Sequence, residues 1–337
     1  MTTSPAISVL LPFHDAASTL TAALDSCLAQ SFTDIEVLVV DDGSRDESAD
    51  IVRSFAARDE RVHLFQPGRL GLVGALNHGL ALAHAPLVAR MDADDVMYPE
   101  RLQRQYDFMN AHPSIGLCGC CVRVVPEERV EAGFREYIRW QNACVTPAQI
   151  AEEIYWESPI AHPTFLFRRD VVVRTGGYRH GDFPEDYELL LRLHSAGVAM
   201  AKLPEVLLDW ADSPGRATRT DPRYAREAFD RLRAAHLAQD TRLRARPLVI
   251  WGAGRRTRRR VNLLLDRGFQ PAAWIDIDPK KIGNVIRGAT VHAPAWLERG
   301  TRPFVLAYVT AHGARERIAD QLQAFGYQRG LDYLMVG

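Results

Sequence analysis

Cysteine is scarce in this chain, and its spacing disfavours two common kinds of structural crosslink. The 337 residues include five cysteines, an odd number with no pair of CxxC motifs: Cys27, Cys118, Cys120, Cys121 and Cys144. Neither a disulfide framework nor a zinc knuckle is indicated by that pattern. The string LCGCCVRVV instead predicts a buried strand packed with small side chains.

The sequence shows neither a long apolar run nor the pattern of an N-terminal leader. No stretch approaches the roughly 18–20 apolar residues that a membrane span needs, and Met1–Ala6 has no basic start followed by an apolar core. We therefore expect a cytoplasmic protein, with at most peripheral contact with the inner face of the membrane.

Excess charge of either sign is absent too. The formal net charge of -1 gives the whole molecule no strong attraction to nucleic acid, which we do not expect as a partner. Arginines nevertheless crowd the stretch from Arg216 to Arg260. Two interpretations stay open: solvated arginines on helices between domains, or contacts with an anionic partner.

The first hundred residues alternate between strand and helix patterns. Three segments have apolar residues at helical spacing. The first begins near Ser18, the second after Asp46 or Ser48, and the third runs from Val73 to His84. Between these segments lie short apolar runs that predict buried strands: Ile7–Pro12, Ile35–Val40, Val62–Phe65 and Leu87–Met91. The alternation predicts βαβ units and an α/β fold with a mostly parallel sheet flanked by helices.

Polar clusters follow three of these predicted strands, at residues 13–15, 41–44 and 92–95. Ligands of open α/β sheets bind beyond the carboxyl ends of the strands. We therefore expect the three clusters to meet in one crevice.

The remaining chain divides into a mixed region and a second α/β pattern. Strands are predicted at Ile115–Val125 and Thr164–Phe167, an amphipathic helix from Glu185 to about Ala196, and another helix from Tyr224 to about Arg242. We place a large domain at residues 1–222, a helical connector at 223–245 and a smaller Rossmann-like domain at 246–337.

Asp92-Ala93-Asp94, at the end of a predicted strand, is the most informative tripeptide in the chain. Two carboxylates one residue apart can present oxygen ligands to Mn²⁺ or Mg²⁺ and leave other coordination positions open for diphosphate oxygens. Such a tripeptide also arises by chance on solvated turns, so its position decides its meaning. Here it follows a strand, precedes a helix and accompanies VLVVDDGSRDES after an earlier strand.

With the strings ISVLLPFHD, VLVVDDGSRDES and ARMDADDVMYPERLQRQ in this order, the chain resembles the family 2 glycosyltransferases, inverting enzymes of the GT-A fold. The resemblance covers roughly Ile7 to Trp210. It implies that Pro12 and Asp42 line the nucleoside pocket of a sugar donor. It also implies that Asp92 and Asp94 hold the donor and its metal.

The resemblance extends to further donor and acceptor residues. Asp15 and Arg69 are candidates for donor binding, with a solvent-facing arginine as the alternative for Arg69. FPEDYELLLRL places Asp186 where the family has its catalytic base, although a helix N-cap would explain the same acid. Glu185 and His162 are expected on the acceptor side, with a structural histidine as the alternative for His162. Trp210 and Arg216 occur where family members close over the donor phosphates.

The C-terminal unit has a glycine turn of its own. Gly252 and Gly254 follow a predicted strand, and Asp276 lies at the end of the next strand, as in a dinucleotide-binding unit, but Thr257 replaces the third glycine. IDIDPKKIG and GATVHAP resemble the small sugar-nucleotide-binding domains that precede bacterial sugar acyltransferases. A structural or ligand-sensing role is favoured over a second enzyme.

Other enzyme classes fit less well. A nucleotidyltransferase would carry a glycine-rich basic loop after the first strand, and ISVLLPFHDAAST has none. A sugar-nucleotide oxidoreductase or epimerase would rest on the C-terminal glycine turn, yet no Tyr-x-x-x-Lys pair follows that turn. A sugar-nucleotide-binding protein without catalysis, or an NAD-dependent enzyme acting through the C-terminal unit, remains the alternative.

The sequence thus predicts an inverting glycosyltransferase that moves a sugar from a nucleotide-diphosphate donor to a hydroxyl. UDP is the expected nucleotide, and a saccharide or lipid-linked acceptor in bacterial polysaccharide, glycolipid or glycoconjugate synthesis is the expected partner. The identity of the sugar depends on pocket shape, which no motif encodes.

Overall fold

The computed structural model of the chain describes residues 4–212, 217–299, 301–311 and 313–337. These residues form two compact units. Unit 1 comprises Met1–Ile150, Pro159–Gly181 and Glu185–Asp221, and unit 2 comprises Ala151–Ser158, Asp182–Pro184 and Pro222–Gly337.

Within the described residues, unit 1 is built on an eight-stranded sheet with the spatial order β3-β2-β1-β4-β7-β6-β8-β5. Its strands are β1 Ile7–Phe13, β2 Ile35–Asp41, β3 Val62–Phe65, β4 Leu87–Arg90, β5 Val96–Met97, β6 Ile115–Val125, β7 Leu166–Arg168 and β8 Ala199–Ala211. The pairs among β1 to β4 and the pair of β6 with β8 are parallel, while β5 and β7 pair antiparallel to their neighbours.

Helices cover this sheet and connect its parallel strands. They are α1 Leu20–Leu28, α2 Ser48–Ala56, α3 Gly71–Leu82, α4 Arg101–Ala111, α5 Ala132–Ala143, α6 Pro147–Glu153, α7 Arg169–Arg174, α8 Glu185–Ser195 and α9 Ala217–Thr220, with α6 running on into unit 2. Every residue of β1 and β2 is buried, as apolar strands covered on both faces require. Among the described residues, no helix combines the length and apolar character needed to cross a bilayer.

The register of the parallel strands brings three strand ends to one edge of the sheet. Phe13 of β1 pairs with Asp41 of β2, and Leu10 of β1 pairs with Arg90 of β4. The chain therefore leaves β1, β2 and β4 at the same edge, where residues 13–15, 41–44 and 92–95 follow.

Unit 2 holds a smaller sheet, which in the described part of the chain has the order β11-β12-β10-β9-β13-β14. Its strands are β9 Leu248–Trp251, β10 Pro271–Ile275, β11 Val285–Ile286, β12 Ala289–His292, β13 Phe304–Ala307 and β14 Tyr333–Met335, and its helices are α10 Arg226–Leu237, α11 Arg242–Ala245, α12 Arg255–Leu265 and α13 Ala314–Ala324. The pairings are parallel except that of β11 with β12. The predicted α/β class, with a mostly parallel sheet and a second smaller one, is confirmed.

Two predicted elements are wrong in their bounds. The segment predicted as a strand at Thr164–Phe167 begins as a 3₁₀ turn over His162–Thr164, and β7 starts only at Leu166. Pro163, which lacks an N–H to donate, sits inside that turn. The helix predicted from Tyr224 to Arg242 instead ends at Leu237, because Asp240 accepts a hydrogen bond from the Arg242 backbone and sets a turn before α11.

All five cysteines are buried as free thiols, and four of them have raised pKa values because burial disfavours the thiolate. Cys118, Cys120 and Cys121 lie in β6, where the sequence predicted a strand of small packed residues. These side chains fill the core.

Candidate active site

Three carboxylates gather just beyond the end of β4. Asp92, Asp94 and Asp95 each offer an oxygen atom, and these atoms lie within 4.8 Å of one another. Asp94 is exposed, Asp92 is half-buried and Asp95 is buried. Oxygen donors of this kind suit Mg²⁺ or Mn²⁺, so the residues present fit the predicted metal. Asp95 was not predicted as a member of this group.

Asp95 also ties the acidic segment to the far side of the sheet. One of its carboxylate oxygens accepts a hydrogen bond from the Ala211 backbone at 2.8 Å, at the end of β8. Val96 and Met97 then pair antiparallel with β8. The acidic segment is therefore held at both ends, by β4 before it and by β5 after it.

Arg90, the last residue of β4, lies beneath this cluster. Its side chain is only 2% exposed, and its Nη2 donates a hydrogen bond of 2.5 Å to Oδ1 of Asp92. Its Nε and Nη1 are buried without a hydrogen-bond partner among the described residues. Arg90 was not predicted as a site residue, although a lone arginine in an otherwise apolar strand was a usable signal.

Asp186 and Glu185 open helix α8, and Asp186 is half-buried while Glu185 is buried. Oδ1 of Asp186 accepts a hydrogen bond from the Tyr187 backbone at 2.7 Å. Desolvation and the neighbouring Glu185 carboxylate raise the pKa of Asp186 to about 7, although that N–H and Arg90 oppose the rise. A carboxylate with a pKa near neutrality is suited to accept a proton at the pH of a cell.

His162 lies beside this pair but is buried, with Nδ1 3.9 Å from Glu185 and Nε2 3.0 Å from the Tyr178 hydroxyl. Burial, aided by Arg90, holds the pKa of His162 well below its usual range. The histidine is therefore neutral, and its approach to Glu185 is not an ion pair. Because Glu185 and His162 are both buried, their geometry favours holding neighbouring groups in place over touching an acceptor directly.

The acidic cluster and the pair at the start of α8 share one neighbourhood. Arg90 binds Asp92 and also acts on the pKa of Asp186. The pKa of the Tyr178 hydroxyl is raised by burial and, in addition, by Glu185, Asp186 and Asp92. Asp92 and Asp186 therefore both interact electrostatically with the Arg90 guanidinium.

Asp42, which directly follows β2, makes structural hydrogen bonds within unit 1. Its Oδ1 accepts hydrogen bonds from the backbone N–H groups of Leu70 at 2.6 Å and Gly71 at 2.8 Å, at the start of α3. The Arg69 side chain also contacts Asp42. Its Nη1 donates a hydrogen bond to the Asp42 carbonyl at 3.0 Å, and its Nε lies 3.5 Å from Oδ2 of Asp42. Asp42 and Arg69, which were both predicted to bind the sugar donor, therefore form an ion pair with each other. The Arg69 side chain stays 59% exposed.

Pro12 and Asp15 lie at the end of β1. Pro12 is buried in the strand and pairs with Val40 of β2. Asp15 is exposed in a left-handed conformation with φ 48°, and its Oδ1 accepts a hydrogen bond from the Arg45 backbone at 2.7 Å. Asp15 thus ties the loop after β1 to the loop after β2.

The residues expected to close over the donor are only partly described. Trp210 is half-buried in β8, with its ring centroid 5.9 Å from that of Phe134. Arg216 lies outside the described residues.

The glycine turn of unit 2 is held by Asp276. Gly252 has φ 115°, and a side chain there would press on Thr257 and Val309. Oδ2 of Asp276 accepts a hydrogen bond of 2.8 Å from the Ala253 backbone, just before Gly254, and Lys281 pairs with the carboxylate at 3.1 Å. Burial opposes ionisation, but the hydrogen bonds from Asp278, Ala253 and Lys281 outweigh it and lower the pKa of Asp276. Asp276, which the sequence placed as in a dinucleotide-binding unit, therefore already uses its carboxylate to stabilise the glycine turn.

The arginine-rich stretch is partly structural. Arg233 and Arg260 are buried and both pair with Asp230, at 3.0 and 3.1 Å. These two arginines pack α10 against α12 inside unit 2, so they are not available to an external anion.

Comparison with known proteins identifies the family of the chain. A profile of the glycosyl transferase family 2 matches residues 8–176, half of the chain. The amylovoran biosynthesis glycosyltransferase AmsE of Erwinia amylovora is 34% identical over 190 residues, which are 56% of this chain and 69% of that protein. The O-antigen biosynthesis glycosyltransferase WbnJ of Escherichia coli is 29% identical over 209 residues, which are 60% of this chain and 78% of that protein.

A solved structure shares the fold. The complex of S. aureus TarS residues 1–349 with UDP-GlcNAc matches with a TM-score of 0.54 and 19% sequence identity, over 68% of this chain and 66% of that chain. The GT-A type fold expected from the resemblance is confirmed, as is the predicted enzyme class. The chain belongs to glycosyl transferase family 2, and relatives of its catalytic region serve polysaccharide biosynthesis.

Proposed function

We propose that this enzyme transfers a sugar from a nucleotide-diphosphate donor to an acceptor hydroxyl with inversion at the anomeric carbon. The proposal is carried by one observation: the buried guanidinium of Arg90 binds Asp92 of the carboxylate cluster and also acts on Asp186, whose pKa is raised. Such an arrangement puts a site for a charged leaving group beside a group able to accept a proton.

The donor is proposed to bind at the carboxyl edge of β1, β2 and β4. Pro12 and Asp42 would line the nucleoside, with Oδ2 of Asp42 accepting from the base because Oδ1 already holds two backbone N–H groups. Asp15 and Arg69 would flank the phosphates. Asp92 and Asp94 would hold Mn²⁺ or Mg²⁺ together with Asp95.

Asp186 is proposed as the general base. Its carboxylate takes the proton of the acceptor hydroxyl, the hydroxyl oxygen forms the new bond to the anomeric carbon, and the bond from that carbon to the nucleoside diphosphate breaks. Burial and the Glu185 carboxylate raise its pKa toward neutrality, and the buried His162 lies beside Glu185. When bound, the metal ion neutralises charge that develops on the diphosphate. A single displacement of this kind inverts the anomeric configuration.

The donor nucleotide is proposed to be UDP, as in the TarS complex with UDP-GlcNAc. The acceptor is proposed to be a saccharide or a lipid-linked saccharide, since the relatives are named for amylovoran and O-antigen biosynthesis. The enzyme would then act in the cytoplasm, in peripheral contact with the inner face of the membrane.

A thermal-shift panel of nucleotide sugars, with and without Mn²⁺, tests the proposal. A UDP-sugar is expected to raise the melting temperature only when Mn²⁺ is present, and to fail in Asp94→Asn. Asp107→Asn, an exposed acid on α4, is the matched control and should respond like the parent. Stabilisation by NAD alone would instead support the oxidoreductase alternative.

The stereochemistry is tested separately, by NMR of the product formed from the donor found in that panel. An anomeric configuration opposite to that of the donor is expected. Retention of the donor configuration would contradict a single displacement assisted by Asp186.

A further inference from the structure

Helix α12 opens with five arginines in six residues, RRTRRR, and has no acidic residue in its first turn. Arg260 turns inward to Asp230, as described above. The other four form what we call the arginine face: Arg255, Arg256, Arg258 and Arg259. All four are exposed, and none has an ion-pair partner among the described residues.

This placement is unfavourable for the helix itself. The N-terminal end of a helix carries partial positive charge, and like charges three or four positions apart repel. Arg255 is three positions from Arg258 and four positions from Arg259, so it is repelled by both. An anionic partner would relieve both effects, whereas water and salt screen them only in part.

The arginine face lines an open groove of ≈ 870 Å³ together with Asn262 and the segment Val285–Arg287. Val285 is 66% exposed there. Ile277 is 73% exposed and follows β10 at the edge where the neighbouring strand β9 leads into α12. Cationic side chains thus adjoin exposed aliphatic ones.

Cations beside exposed aliphatic side chains favour a lipid surface over other polyanions. Single-stranded nucleic acids bind to basic grooves with aromatic platforms for the bases, and the residues of this groove include no aromatic side chain. A lone diphosphate would engage only part of a surface spread over more than one helical turn. Anionic headgroups can meet all four arginines while Val285 and Ile277 enter the interface.

We propose that the arginine face, with Val285 and Ile277, docks the protein on an anionic phospholipid surface. The inference rests on the proposed function in one respect, because a lipid-linked acceptor would give the enzyme a reason to be at a membrane. Each arginine near an anionic bilayer strengthens partitioning by about fivefold.

Vesicle co-sedimentation of the full chain tests the docking surface. Vesicles of phosphatidylcholine with about one third phosphatidylglycerol are compared with pure phosphatidylcholine vesicles. The parent protein is expected to bind only the anionic vesicles, and less at high salt. Arg255→Gln/Arg256→Gln/Arg258→Gln/Arg259→Gln should weaken binding by at least about tenfold.

The matched control makes the same charge change on other exposed arginines: Arg58→Gln, Arg104→Gln, Arg299→Gln and Arg317→Gln. Equal loss of binding in both quadruple variants, or equal binding of the parent to both kinds of vesicle, would overturn the docking surface. Tighter binding of single-stranded DNA than of anionic vesicles would overturn it in favour of nucleic acid.

A readout of the catalytic unit separates this inference from the proposed function. The arginine-face variant should keep the UDP-sugar and Mn²⁺ thermal shift of the parent, since none of its changes touches the carboxylate cluster. Absence of that shift in the parent would count against the proposed function, and the vesicle result would still decide the docking surface.

Discussion

At the residue scale, the raised pKa of Asp186 predicts how transfer depends on pH. Because the base must be deprotonated, kcat/KM should rise as pH increases through about 7. Asp186→Asn should lower kcat by about 10²–10⁴-fold and leave donor affinity nearly unchanged. Steady-state rates from pH 5.5 to 9, with donor binding measured by calorimetry, check both. Loss of donor affinity with kcat preserved would assign Asp186 to binding.

The same pKa carries a stability consequence of defined sign. The folded-state pKa of about 7 lies above the ordinary value of 3.8, so the stability contributed by the protonated form is fully present only below about pH 4 and is lost progressively as pH rises to about 7. Asp186→Asn cannot ionise and should therefore melt at a higher temperature than the parent above pH 7, with a smaller difference at pH 5. Thermal melts at the two pH values measure this. A lower melting temperature for the variant at pH 8 would contradict it.

Glu185 tunes Asp186, and its charge can be removed separately. Glu185→Gln should shift the acid limb of the pH-rate profile to lower pH, because the like charge that raises the pKa of Asp186 is gone. Glu205→Gln, an exposed acid in β8, is the control and should leave the limb in place. A limb that stays fixed in Glu185→Gln would show that desolvation alone sets the pKa.

Arg90 contacts the carboxylate cluster although its sequence position did not predict a role in the site. Arg90→Met should weaken Mn²⁺-dependent donor binding by about tenfold, the loss of one charge-assisted hydrogen bond to Asp92. It should also move the acid limb to higher pH, since Arg90 lowers the pKa of Asp186. Arg90→Lys should restore the position of the limb more than the donor affinity. An unmoved limb in Arg90→Met would reduce Arg90 to a structural role.

At the scale of elements, the close approach of α3 to the sheet depends on one glycine. A Cβ at Gly79 would lie 2.1 Å from Cδ1 of Leu10 in β1 and 3.2 Å from Cγ2 of Val40 in β2. Gly79→Ala should therefore lower the free energy of unfolding by about 1–3 kcal/mol despite the higher helix propensity of alanine. Urea denaturation gives this value.

Gly133, an exposed glycine in α5, supplies the control for that substitution. A Cβ there would meet nothing within 4 Å. Gly133→Ala should be neutral or raise the free energy of unfolding by up to about 1 kcal/mol. Equal effects of the two alanines would show that α3 can move away from the sheet at no cost.

Elements were predictable where burial leaves a strong local pattern. The apolar runs that became β1, β2 and β6 are buried nearly throughout, so their composition alone placed them within a residue or two. Arg90 was not predicted as a site residue because part of its environment, including Asp186, is distant from it in sequence. The meeting of those groups is a property of strand register and helix placement, which a local pattern does not contain.

At the scale of the whole molecule, the boundary between the units is discontinuous along the chain. Residues 151–158 belong to unit 2 although more than sixty residues separate them from its main part. Trp156 packs on the unit 2 core, and its carbonyl accepts a hydrogen bond from Arg233 at 2.6 Å. Glu153 pairs with Arg329 at 2.7 Å. A sequence pattern assigns consecutive residues to one domain. It therefore could not place residues 151–158 in unit 2.

Because residues 151–158 belong to unit 2, we predict that the chain cannot be divided cleanly after residue 222. A piece ending there would keep residues 151–158 but lose the rest of unit 2, the unit to which Ile154 and Tyr155 belong and in which they are 0% and 2% exposed. Each such side chain left in water forfeits about 1.5–3 kcal/mol of burial and offers an apolar surface for association. The 1–222 piece should therefore aggregate in light scattering, and Ile154→Ser/Tyr155→Ser within it should restore a monodisperse species that still shows the Mn²⁺-dependent donor shift. A monodisperse 1–222 piece without those changes would show that unit 1 tolerates the exposed segment, and that the predicted boundary is sufficient.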